Sequence, residues 1–264
     1  MGSIHPIFQS LDNEVNSESR SKTVKVEQML REYQLKKDVK NHVKPYELFM
    51  YRGAVHWSKM SGKMYGKRAI GRPMTSRCQD NKKIDGSICQ KCYASTINTY
   101  YSCVNAALQR NRDLEPGDIF DDPPIFTDID LTWRSNWNGD YQDENDVLVD
   151  FAICDVVNYA TCTAWTKNFD IVERLDSVRP SNYTLMQSSL MINQITEDES
   201  PAANQIFTVF TPEFAIENDI HINCNGACRL CGKCYGNDLK KRPRFVNELI
   251  KGGEIKYFKL MGVL

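Results

Sequence analysis

A chain of 264 residues with 41% hydrophobic and 25% charged residues has the composition of a globular protein and enough length to bury a substantial core. No run approaches the roughly 18 apolar residues of a membrane-spanning helix, and the mean hydropathy of -0.49 agrees, so a transmembrane anchor is not expected. The net charge of -1 conceals a segregation: +1 over residues 1–50, +10 over 51–112, -18 over 113–220 and +6 over 221–264.

In chain order, residues 1–20 are polar and aperiodic and read as a tail without the apolar stretch of a secretory signal. Thr23 to Val43 places Val26, Met29, Leu30, Tyr33 and Val39 at helical spacing among lysines and glutamates, which predicts an amphipathic helix. Tyr46 to Ala54 reads as a strand, and the Gly-, Lys- and Arg-rich run from Ser58 to Pro73 as a loop. A helix is predicted over Cys92–Arg112, ended by Glu115-Pro116-Gly117, followed by an alternating strand over Ile125–Trp133 and a polar turn over Arg134–Asp140. Asp143–Tyr159 reads as a helix, Ala160–Thr166 as a strand, Phe169–Val178 as a helix, and Tyr183–Met191 and Gln205–Thr211 as further strands. Strands alternating with helices predict βαβ units. The expected fold is α/β, a partial (β/α) barrel or open parallel sheet with cysteine-rich metal-binding loops. Residues 1–44 form a tail and helix, and 45–264 a single domain.

Seven of the ten cysteines fall in two groups: Cys78, Cys89 and Cys92 upstream, and Cys224, Cys228, Cys231 and Cys234 near the C-terminus at spacings x3, x2, x2. Neither the helix nor the strand period points four side chains so spaced in one direction, so the second group is expected to wrap an inorganic centre. Gly226 and Gly232 allow the backbone to curl around it. With no export signal the expected location is a reducing cytoplasm, where clustered thiols serve as metal ligands rather than disulfides. Successive x2 gaps suit a four-iron cluster, although the ferredoxin run has its x3 gap last. Zinc is the alternative, with thiolates as its ligands in both cases. Both groups lie in the basic segments, whose cations would offset a thiolate-bound centre or hold nucleic acid or a nucleotide through residues 51–112 and 221–264.

Cys224-x3-Cys228-x2-Cys231 also matches the radical-SAM signature, but only 33 residues follow it. Thr75-Ser-Arg-Cys78, Cys89-Gln-Lys-Cys92-Tyr93-Ala94, Arg134 with Gly139-Asp140, Thr166-Lys167, Ser188-Ser189 and Cys228-x2-Cys231-x2-Cys234-Tyr235 stand in the order found in the phage gene-product-88 family, which this chain resembles over residues 58–238. The resemblance implies a phage-encoded protein of the host cytoplasm with a reduced, radical-SAM-like α/β barrel and a cysteine-ligated metal; as an enzyme it would carry out a SAM-type radical or redox reaction on a nucleic acid or nucleotide. Two departures stand out: ten residues separate Cys78 from Cys89 where a radical-SAM loop has three, and Asn136 occupies a position that is histidine in the family.

Arg134, Asp140 and Lys167 follow strands and are the candidate catalytic residues, with Tyr93 and Arg134 candidates for holding a cofactor. Lys167 is a candidate to join Arg134 around one anion, while Asn-Gly-Asp140 is also good turn chemistry. Cys103, Cys154 and Cys162 are expected in the core, as are Trp133, Trp137 and Trp165. His221 is the histidine nearest a ligand position. The alternative function is a non-catalytic metal-stabilised module that binds nucleic acid or a host protein.

Overall fold

The computed structural model describes residues 53–60, 64, 67–126, 131–195, 200–224, 226, 228–235, 242–253, 256, 260 and 261. The expected tail and helix of residues 1–44 and most of the Tyr46–Ala54 strand lie outside them. Among the described residues, seven strands form one open sheet: β1 (Ser58–Lys59), β2 (Arg68–Ile70), β3 (Thr132–Ser135), β4 (Thr161–Thr166), β5 (Tyr183–Ser188), β6 (Gln205–Phe210) and β7 (Phe245–Leu249). They lie in chain order, with β1 antiparallel to β2 and the remaining six parallel. The helices are α1 (Ser76–Lys83), α2 (Ala94–Tyr100), α3 (Ser102–Arg112), α4 (Pro116–Asp121), α5 (Glu144–Val156), α6 (Phe169–Arg174), α7 (Pro212–Glu217) and the single turn α8 (Cys228–Cys231).

Alternation along the strands sorts the side chains onto two faces. Trp133, Cys162, Ala164, Tyr183 and Leu185 join Val147, Phe151, Ile153 and Val172 of α5 and α6 in the main core. That core explains why α5 forms where it does: Asp143 caps it by accepting from the Asp146 amide at 3.3 Å, and its apolar residues are buried on most of its circumference. Fully burying each large apolar side chain stabilises the fold by about 1.5–3 kcal/mol. The opposite face carries Met186, Phe207, Val209 and Val246, and against these pack Trp165, Cys224 and Cys234. The sheet is therefore covered on both sides, as parallel sheets require.

The structure corrects several sequence expectations. The run from Ser58 to Pro73 contains β1 and β2, because the cations that marked it as loop lie along aromatic rings: Arg68 over Phe126 at 4.8 Å and Lys67 over Tyr235 at 5.6 Å. The expected helix over Cys92–Arg112 is two helices, broken at Tyr101, whose φ of -121° and ψ of 81° are not helical. Pro116 opens α4 at its first position rather than ending a helix, with Glu115 and Asp118 in a capping box. β3 begins at Thr132, later than expected, and takes in Arg134 and Ser135. The helices α1, α7 and α8 and the strand β7 were not anticipated.

Candidate metal centres

The C-terminal thiols are held on the sheet by its polar side chains. Thr163 donates to the Cys234 carbonyl at 2.9 Å, Gln205 to the Lys233 carbonyl at 3.3 Å, and the Cys224 amide to the Asn247 carbonyl at 3.0 Å. Lys233 Nζ closes the loop on the Asn223 carbonyl at 3.0 Å. Gly226 and Gly232 turn the backbone with φ of 68° and 64°. The result is a recess of about 300 Å3, its open mouth included, lined by Cys224, Cys228, Cys231 and Cys234 with Tyr235 and Val246. Burial first, and then the neighbouring thiols of Cys224, Cys228 and Cys231, push the Cys234 thiol up to about 12, with Arg242 opposing. All ten cysteines are free. Among the described residues no three Cys, His, Asp or Glu side chains stand together in a ligating arrangement.

Cys78, Cys89 and Cys92 form a second group beyond the C-terminal ends of β3 to β5. Each position follows from a local turn. The Thr75 hydroxyl caps α1 by accepting from the Cys78 amide at 3.1 Å and lies 3.3 Å from the Cys78 sulfur. Ser87 accepts from the Cys89 amide at 3.1 Å, and the Cys92 amide donates to the Cys89 carbonyl at 3.2 Å. Burial raises the pKa of Cys78, with Asp140 and Cys89 adding to the effect. Burial likewise raises Cys89, against the pull of Lys167, while Cys92 and Asp140 reinforce it. None of these three cysteines borders the C-terminal recess.

The candidate polar residues lie around both groups, and Arg134 is acted on by Tyr93, next to Cys92, as well as by Cys228. Asp140 is buried and accepts from the Tyr141 amide at 2.9 Å, the Lys167 amide at 3.0 Å and the Thr166 hydroxyl, which ties the end of β3 to that of β4. Its pKa is raised by burial, although these hydrogen bonds act against the rise. Lys167 Nζ reaches Ser188 Oγ at 2.9 Å, beside Cys89. Arg134 lies on the face of Met186 and Phe207, where its guanidinium is 4.5 Å from the Trp165 ring centre and interacts with Tyr235. Burial works against the Arg134 charge, but Tyr235, Tyr93 and Cys228 hold its pKa above the ordinary value. Tyr93 is exposed, and its hydroxyl donates to the Trp137 carbonyl. Asn136, with φ of 56°, turns inward and accepts from Arg72 at 3.2 Å. His221 is exposed and lies outside the recess lining. Cys154 and Cys162 are in the core as expected, whereas Cys103 is exposed. Trp133 is fully buried, and Trp165 packs edge-on against Phe207.

One buried cluster left no sequence signal. Arg72, fully buried, pairs with Asp150 at 2.7 Å and Asp146 at 3.1 Å, and Arg112 pairs with Asp146 from the other side. Tyr141 donates to Asp150 at 2.5 Å and lies 2.8 Å from the Tyr183 hydroxyl. This cluster braces the loop carrying Arg72 against the turn carrying Asp140.

The chain matches no family model, no curated protein and no solved structure.

In residue type the C-terminal recess has the donor set of a thiolate-bound centre, although its side chains are not gathered as ligands: four cysteines line one concavity, two positive-φ glycines shape it, and Arg242 and Lys233 supply positive charge beside it. No helix among the described residues is long and apolar enough to cross a membrane.

Proposed function

We propose that this chain is an iron–sulfur protein on a partial (β/α) barrel, with Cys224, Cys228, Cys231 and Cys234 holding a four-iron cluster. The observation carrying this reading is that all four thiols line one recess on the sheet face away from α5 and α6. The barrel element is supported by the chain-order sheet. Right-handed crossovers between successive parallel neighbours keep the connecting helices on one face and leave the other to line an interior.

The upstream thiols have a different place in this reading. They lie beyond the C-terminal strand ends, where active sites of parallel α/β folds gather, and three protein ligands leave a fourth position open. Lys167 and Ser188 would orient an anionic group beside them, and Asp140 would hold the Lys167 backbone in place. A bound cluster supplies one-electron chemistry, with SAM as the co-substrate the radical-SAM likeness suggests. The likeness to the phage gene-product-88 family supports the same assignment.

A second reading has one specific support. Four protein thiols closing a half-buried site are also what a structural zinc ion takes. Anaerobic purification with analysis for iron, acid-labile sulfide and zinc separates the two. The cluster reading expects a brown protein with equal iron and sulfide, the content falling by one cluster in Cys231→Ala and unchanged in Cys103→Ala. A colourless protein with one zinc per chain sinks it.

A further inference from the structure

Residues 86–112 contain no carboxylate, and of their cations Lys91, Arg110 and Arg112 only the last is taken up by the buried Asp146 pair. Within this stretch α2 contributes only Ala94 to the buried interior. Polar contacts attach it instead: Lys82 Nζ donates to Ser95 Oγ at 2.8 Å, and Asn138 Nδ2 to Asn98 Oδ1 at 3.4 Å. Three aromatic rings consequently face solvent, Tyr93 at 51%, Tyr100 at 76% and Tyr101 at 54% exposure. Tyr93 and Tyr100 are seven residues apart, hence on one helix face and about 10 Å apart along the axis. That distance is the rise of roughly three nucleotides at about 3.4 Å each.

Exposed tyrosines at such density are unusual for a surface without a ligand, since aromatic rings otherwise enter the core, as Trp57, Trp133 and Tyr141 do here. Lys91 is exposed and has no ion-pair partner among the described residues. Asp80 and Asp85 flank Lys82, but Asp80 is paired with Lys83, so the rings with Lys82 and Lys91 still meet the two requirements of a single-strand platform: faces on which any base stacks, and positive charge that follows the phosphates. A peptide partner would favour aliphatic anchors, of which this edge offers few.

We propose that the α2 edge binds single-stranded nucleic acid, with bases stacked on Tyr93, Tyr100 and Tyr101 and phosphates on Lys82 and Lys91. The bound strand would pass beside Cys78, Cys89 and Cys92. The assignment does not depend on those thiols carrying metal.

Fluorescence anisotropy of the full chain with a labelled oligothymidine tests it. The expected result is binding to the single strand in preference to a duplex of equal length. Tyr100→Ala with Tyr101→Ala should weaken it about tenfold or more, while the corresponding phenylalanine pair retains it. Lys91→Gln should reduce the salt slope by roughly 0.7. Preference for the duplex, unchanged affinity in a folded alanine pair, or equal tyrosine-dependent binding of polyglutamate overturns the proposal. If the alanine pair does not fold, photocrosslinking of a 4-thiothymidine oligomer to the unaltered chain decides: crosslinks within residues 91–101 support it, and crosslinks only elsewhere overturn it.

Discussion

At the scale of single residues, Arg72 carries the heaviest electrostatic duty. Its guanidinium has no exposure and is met by two carboxylates, so the ions are tolerable only together. Arg72→Met leaves Asp150 without its cation and Asp146 with Arg112 alone, and is expected to lower unfolding stability by about 3–5 kcal/mol. Urea denaturation measures this, and a loss under 1 kcal/mol would contradict the arrangement. Nothing in the sequence distinguishes Arg72 from the cations around it. Arg68 and Lys67 are in the same stretch and spend their charge differently, alongside aromatic rings. The thiols were far easier to read, because their spacing excludes the ordinary periods and local spacing survives folding. What spacing could not supply was the partner that each candidate cation meets. Arg134 is within a strand and faces Tyr235, whereas Lys167 follows the next strand and reaches Ser188.

At the scale of elements, two loops meet at the end of β2 and β3 with almost no space between them. Gly139 has φ of 72°, and a Cβ there would lie 2.3 Å from the Arg72 carbonyl oxygen and 2.4 Å from that of Pro73. Gly232 has a similar φ of 64° with nothing near the site of a Cβ. Gly232→Ala should therefore cost about 1–2 kcal/mol from backbone strain alone, and Gly139→Ala clearly more, because the backbone itself must shift. Melting curves of the two variants give the ranking, and the reverse order would refute it. The elements that were legible in advance share a property: β4, β5, β6 and α5 are buried nearly throughout, so apolar runs and the Asp143 cap mark them directly. Those that were not are short and amphiphilic. β2 is three residues long with an arginine, and α1 has no buried residue. Neither offers a period long enough to register against its neighbours.

At the scale of the whole molecule, the C-terminal segment is both a candidate centre and the cover of one sheet face. Cys224 and Cys234 pack on Met186, Phe207, Val209 and Val246, so occupation of the recess and closure of that face are linked. On the proposed reading, stripping the metal by chelation lowers stability by about 2.7 kcal/mol for a centre held at 100 times its Kd. That is roughly 5–10 °C in Tm for a domain of this size, with faster tryptic cleavage after Lys233. A melting curve and cleavage rate unaffected by chelation would count against a bound centre there.

A sheet whose spatial order repeats its chain order has a consequence for biosynthesis. Each parallel strand finds its neighbour already made when it leaves the ribosome, so the nascent chain can add strands one at a time with no partner still to come. The exception is the thiol segment between β6 and β7, whose anchor Asn247 belongs to a strand made after it. Its four sulfurs remain ungathered until β7 has been made, so the recess is assembled only after β1 to β6 have been laid down.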